Sequence, residues 1–205
     1  MKKKSVLLVT VLALASIASA ASANLVQNGG FEANGGYNGS DPDNWTTTMN
    51  SFGAYDGSDD PAMKPVEGSW LLHPGADGNP GGRYQGISFA PGAYTLSIWA
   101  QNSVWTEADG QVGVWIGNAG ADPLTLNDGS ILQTLVAAPR LQWQNTTVDF
   151  SIATAGTYRL SLFNPGNGSS PNIDDVSIEA VPEPSSLLAM FSALGGSLLF
   201  VKRRK

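Results

Sequence analysis

The 205-residue chain has no cysteine and a single histidine, which excludes disulfides, thiol catalysis, thiolate metal sites and multi-histidine centres. Its formal net charge is −6, but seven of its 11 basic residues sit at the two ends; between residues 24 and 181 only Lys64, Arg83, Arg140 and Arg159 face sixteen acidic residues. A body that acidic repels nucleic acid and anionic lipid, and suits an exported protein, a Ca²⁺ ligand set, or a neutral or cationic partner.

The first 23 residues read as a secretory signal peptide. Lys2, Lys3 and Lys4 form a positive start, residues 6–17 an apolar stretch, and Ala18-Ser19-Ala20 or Ala21-Ser22-Ala23 a small-residue cleavage site. Export machinery and signal peptidase are the partners this implies; an uncleaved N-terminal anchor is the alternative.

Residues 24–180 read as an all-β domain. With 24 glycines and 12 prolines, the composition favours short elements joined by turns. Runs rich in β-branched and aromatic residues predict strands over 24–27, 45–49, 69–73, 84–89, 93–101, 111–117, 130–136, 142–152, 156–164 and 172–180. Tyr94, Leu96 and Ile98 alternate with Thr95, Ser97 and Trp99, and Val112, Val114 and Ile116 alternate with Gln111, Gly113 and Trp115. Val148, Phe150 and Ile152, and Tyr158, Leu160 and Leu162, repeat the pattern. Such alternation gives each strand one buried and one solvated face, as in an antiparallel β-sandwich.

Two non-core faces carry candidate ligand-binding residues. Sugars stack on aromatic rings while amides and guanidinium groups bind their hydroxyls. Trp99 and Trp115 fall on the non-core faces of consecutive strands, and side by side they would form a platform if those strands pair in one sheet. Gln101 extends the Trp99 face, Trp105 follows it, and Arg159 shares the corresponding face of a later strand with Phe163. The alternative is that loops cover this sheet and the rings belong to a satellite core.

The chain closes on Val181-Pro182-Glu183-Pro184, an uncharged and mostly apolar run over 185–201, and Lys202-Arg203-Arg204-Lys205. The run is at the short end of the roughly 17–25 residues a transmembrane helix needs, and the basic cluster would stay cytoplasmic, leaving the body outside. Two prolines around an acid make a stiff segment that a membrane-proximal protease can read.

This order resembles the PEP-CTERM sorting signal. The resemblance implies recognition by an exosortase, a membrane transpeptidase-like enzyme, with Val181, Pro182, Glu183 and Pro184 as the sorting motif. The bearers of that signal are outer-membrane bacteria that make extracellular polysaccharide. An ordinary C-terminal anchor is the alternative.

The body has its own resemblance. Asn24-Leu25-Val26-Gln27-Asn28-Gly29-Gly30-Phe31-Glu32 opens it, followed by Trp45, Gly68-Ser69-Trp70-Leu71-Leu72 and Tyr84-Gln85-Gly86-Ile87. Then come Gly92-Ala93-Tyr94-Thr95-Leu96-Ser97-Ile98-Trp99-Ala100, Trp143, Gly156-Thr157-Tyr158-Arg159-Leu160 and Ile173-Asp174-Asp175-Val176-Ser177-Ile178. The succession resembles the galactose-binding-like jelly roll, in particular carbohydrate-binding modules of the family 4/9/22 type. That implies a non-catalytic, glycan-binding sandwich in which Trp45, Trp70 and Trp143 pack.

It also implies a structural Ca²⁺ held by Glu32, Asp174 and loop carbonyls near residues 64–69, with Glu67 as a further candidate ligand; carboxylate and carbonyl oxygens are the ligands calcium takes. The other reading leaves both acids exposed or bonded to turns. The spacing Asp56-x-Ser58-x-Asp60 with Glu67 mimics an EF-hand loop, but Pro61 stands where that loop needs glycine. Asp109, Asp149, Glu107 and others among the sixteen acids could supply a glycosidase pair, and some such pair will meet by chance; His73, before Pro74, reads as a turn residue.

The sequence therefore predicts an exported surface or matrix protein that binds a neutral or partly charged polysaccharide without catalysis. A structural matrix protein lacking a sugar site is the leading rival, and a glycoside-active enzyme the lesser one.

Overall fold

The computed structural model describes residues 23–49, 51–75, 80–118, 130–166 and 168–182. The expected signal peptide, apart from Ala23, and the expected spanning helix lie outside the described residues. Among the described ones, no helix is long and apolar enough to cross a membrane.

Among the described residues ten strands form: β1 (Thr46–Met49), β2 (Gly53–Tyr55), β3 (Leu71–His73), β4 (Gly81–Phe89), β5 (Gly92–Asn102), β6 (Gly110–Asn118), β7 (Ser130–Ala138), β8 (Gln144–Ile152), β9 (Gly156–Asn164) and β10 (Pro171–Ala180). One 3₁₀ turn, Pro61–Met63, lies between β2 and β3. Sheet I runs β1-β4-β9-β6-β7 and sheet II runs β2-β3-β10-β5-β8. The ladders within both sheets are antiparallel.

The core lies between the sheets, where the period-2 pattern places it. Tyr94, Leu96, Ile98 and Ala100 of β5 and Ile173, Val176 and Ile178 of β10 meet Val112, Val114 and Ile116 of β6 and Leu160 and Leu162 of β9. Trp45 joins them, its ring 5.4 Å from Phe31 and its indole N–H donating to the Asn28 carbonyl. A smaller cluster of Tyr55, Met63 and Leu71, with Val104, Leu141 and Trp143, lies on the outer side of sheet II.

A bulge in β10 keeps this pattern intact. Asp174 pairs with Trp99 and Ser177 with Ser97, so β10 carries one residue more than β5 over that interval. Asp175 takes a positive φ of 45° there, and Ile173 and Val176, three apart, both reach the core. Gly29 fits against this bulge: its carbonyl accepts from the Val176 N–H at 3.0 Å. A Cβ on Gly29 would lie 2.0 Å from the Val176 carbonyl oxygen.

The expected first strand, 24–27, is instead a bridge between sheets. Leu25 N–H donates to Ile178 O of sheet II, while Gln27 exchanges two hydrogen bonds with the side chain of Gln85 in sheet I. A segment divided between two sheets cannot make a ladder with either. The short β2 and the 3₁₀ turn lie outside every predicted strand.

Candidate functional site

The predicted ligand residues divide between two opposite faces. Trp99 is on β5 of sheet II and Trp115 on β6 of sheet I, so the side-by-side platform does not form. Trp115 is 1 % exposed and folds over Gly117, whose Cβ would lie 2.3 Å from the indole. Arg159 shares that face, its guanidinium 4.0 Å from the centroid of the Tyr84 ring. Trp99 is half-buried across sheet II, opposite Asp174 on one side and Asn145 on the other.

Trp105 and Gln101 belong to a different group, at one end of the outer face of sheet II. The register sets Asn172 of β10 between His73 of β3 and Gln101 of β5. His73 Nδ1 donates to Asn172 Oδ1 at 2.9 Å. Trp105, from the loop after β5, places its ring 5.0 Å from the imidazole. Phe52 packs against the same imidazole at 5.8 Å, and Tyr55 contacts both Phe52 and Trp105. Phe52 and Trp105 remain 42 % and 41 % exposed, whereas His73, Gln101, Asn172 and the adjacent Ser103 are fully buried. The result is a ring-lined rim around a polar floor.

Arg83 holds the Phe52 side of this rim. It is 2 % exposed at the start of β4, bonded through Nη1 to Asp41 and through Nε to Ser51 Oγ.

Phe52, Tyr55, Asn172 and Ser103 are not among the predicted ligand residues, and His73 ends strand β3 where a turn is predicted. The alternation that continues Trp99-x-Gln101 to Ser103 was the available signal for one of them. Phe52 and Tyr55 belong to a segment too short to show a period.

Tyr55 is shaped by its surroundings. Burial pushes its phenol up to about 12, with Asp59 contributing to its environment, and its Oη accepts the Asp59 N–H at 3.0 Å. The neutral phenol is therefore favoured by folding, a contribution complete below the ordinary value near 10 and lost as pH rises from there towards 12. Subtracting the absorbance titration of Tyr55→Phe from that of the parent should isolate one tyrosinate transition near pH 12. A difference transition at pH 10 would show that Tyr55 is exposed in solution.

The acids expected at a metal site meet one loop. Glu32 Oε1 accepts the N–H groups of Ser69 and Trp70 at 2.9 and 2.8 Å. Asp174 Oδ2 accepts those of Val66 and Glu67 at 2.8 and 3.3 Å, and Oδ1 that of Asp175. Burial nonetheless raises the Asp174 carboxyl to about 7, the three backbone donors opposing it. Glu67 meets Asp174 through its backbone N–H. Among the described residues, no three acidic or imidazole side chains are grouped closely enough to hold a metal. Two carboxylates flanking one loop, one of them short of positive charge, have the hard-oxygen chemistry that suits calcium.

Of the acids considered for catalysis, Asp149 accepts from Thr95 Oγ1 at 2.6 Å and Asp109 from the Arg140 N–H at 2.8 Å.

No protein-family model matches the chain, and no curated protein matches it in sequence. Solved structures do match. The module TmCBM61, solved in complex with β-1,4-galactotriose, superposes with a TM-score of 0.55 at 14 % identity, covering 78 % of this chain and 100 % of that one. The CBM22-1 xylan-binding domain of Paenibacillus barcinonensis Xyn10C gives 0.53 at 14 %, covering 81 % and 99 %. A family 16 carbohydrate-binding module gives 0.51 at 17 %, covering 76 % and 99 %. The chain has the fold of carbohydrate-binding modules.

Proposed function

We propose that this chain is an exported, non-catalytic polysaccharide-binding protein whose ligand stacks on Trp105 and Phe52 at the end of sheet II. The observation that carries this reading is the pairing of two exposed rings with buried amides that have hydrogen-bonding capacity to spare. Both amide atoms of Gln101, Nδ2 of Asn172 and Oγ of Ser103 have no hydrogen-bond partner. Rings supply the apolar contact a sugar face needs and amides the polar contact its hydroxyls need. The fold shared with carbohydrate-binding modules supports the same class.

Export, and sorting by an exosortase-type system to the cell surface or matrix, rest on the two chain ends. A producer's own exopolysaccharide is the natural target for a protein so delivered. Binding of the exported protein to an array of plant and bacterial polysaccharides tests the reading. Saturable binding supports it; a folded protein that binds none supports a structural matrix protein instead.

Glu32 and Asp174 would hold a structural Ca²⁺, with Glu67 contributing no side chain. A bound cation would supply the positive charge that the buried Asp174 lacks. Calcium at millimolar concentration should raise the melting temperature by several degrees, since about 2.7 kcal/mol follows from ligand at a hundred times its dissociation constant. A chelator should reverse the rise, and Asp174→Asn should abolish it. An identical melting curve with calcium and with chelator would remove the metal from the account.

A further inference from the structure

We infer that the glycan is neutral and seats two adjacent hydroxyls on Gln101, Asn172 and Ser103; this rests on the polysaccharide-binding reading above. Asn172 and Gln101 are direct cross-strand partners, and Ser103 lies two residues along the Gln101 face. All three are fully buried, yet four of their polar atoms have no partner. Buried polar groups are almost always hydrogen-bonded, so this floor calls for partners from outside the chain.

The pattern of free groups selects among partners. The carbonyl oxygen of Asn172 is used by His73 Nδ1–H, which leaves the Nδ2 hydrogens as donors. Gln101 offers a donor and an acceptor, and Ser103 a hydroxyl that does either. A sugar hydroxyl both donates and accepts, so two neighbouring ones can serve Asn172 Nδ2 and both ends of Gln101. A carboxylate or sulfate only accepts and leaves Gln101 Oε1 unpaired.

Charge points the same way. Gln101, Asn172 and Ser103 are neutral side chains, and the imidazole of His73 spends its Nδ1–H on Asn172. Arg83 is committed to Asp41, and Arg140 Nε donates to the Thr106 carbonyl. An anionic sugar would be desolvated here with no lysine or arginine among the floor residues. Met63, itself fully buried, accepts the N–H of Val104, the residue after Ser103, at its sulfur. Its unbranched side chain can yield to an entering hydroxyl.

Calorimetric titration of the full exported chain with a galactan, a xylan, a mixed-linkage glucan and polygalacturonate tests this. Asn172→Asp keeps an acceptor for His73 but replaces the donor with a second acceptor and adds a negative charge to the floor; it should weaken neutral-glycan binding about tenfold or more. Ser103→Ala removes a hydroxyl the fold leaves unpaired, so it should bind several-fold more weakly while melting no lower than the parent. Polygalacturonate should bind worst. If Trp105→Ala abolishes binding but Asn172→Asp and Ser103→Ala do not weaken it, the floor holds only water and the inference falls, though the glycan reading stands. Preference for polygalacturonate overturns it too. Failure of the parent to bind any glycan overturns both.

Discussion

Replacing Trp105 with alanine should weaken glycan binding by about 30-fold, equivalent to about 2 kcal/mol for a central aromatic contact. The ring is 41 % exposed and packs on His73 and Tyr55 from a loop, outside the sandwich core. Its loss should therefore lower the melting temperature by no more than a few degrees. Trp115→Ala is the opposite case. That ring is 1 % exposed on the other sheet, and truncating it leaves a cavity costing about 3 kcal/mol or more without touching the site. Measuring affinity and melting temperature for both variants separates ligand contact from packing. Equal loss of binding in the two would mean that the site had been placed on the wrong face.

A comparable effect on stability is expected at Gly29. A methyl there would meet the Val176 carbonyl oxygen at 2.0 Å, a backbone atom that cannot turn aside as a side chain can. Either the Asn28–Phe31 turn or the β10 bulge must move. The turn leads into Glu32 and the bulge follows Asp174, so both carboxylates should lose their common loop. Gly29→Ala should cost about 3 kcal/mol, at the upper end for overpacking, and lower the melting temperature by about 6–12 °C. The calcium-dependent part of the melting temperature should vanish with it. A variant as stable as the parent would show that the turn relaxes without involving the bulge.

Most strands were legible because alternation reports burial directly. Leu96 and Ile98, or Leu160 and Leu162, cannot face water on a sandwich, and their spacing fixes the inner face. Alternation is silent on which sheet a strand joins. Trp99 and Trp115 are both outward-facing on successive strands, but the chain crosses from sheet II to sheet I between them, so the indoles lie on opposite faces. Short elements carry no period at all, which is why Gly53–Tyr55 escaped notice and, with it, the Phe52–Tyr55 side of the rim. His73 was obscured by Pro74: the proline marks the strand's end correctly, but the imidazole one residue earlier already points across sheet II to Asn172. Glu32 and Asp174 are 142 residues apart in sequence, and only the resemblance to known modules brought them together; the structure joins them through the backbone of residues 66–70.

The most direct test follows the six indole N–H resonances of ¹⁵N-labelled exported protein during titration with the tightest-binding glycan of the panel. Trp105 should shift progressively and saturate at the dissociation constant measured calorimetrically, while Trp45, locked onto the Asn28 carbonyl, and the buried Trp115 stay in place. Saturable shifts at Trp115 with none at Trp105 would contradict the account and move the ligand to the outer face of sheet I.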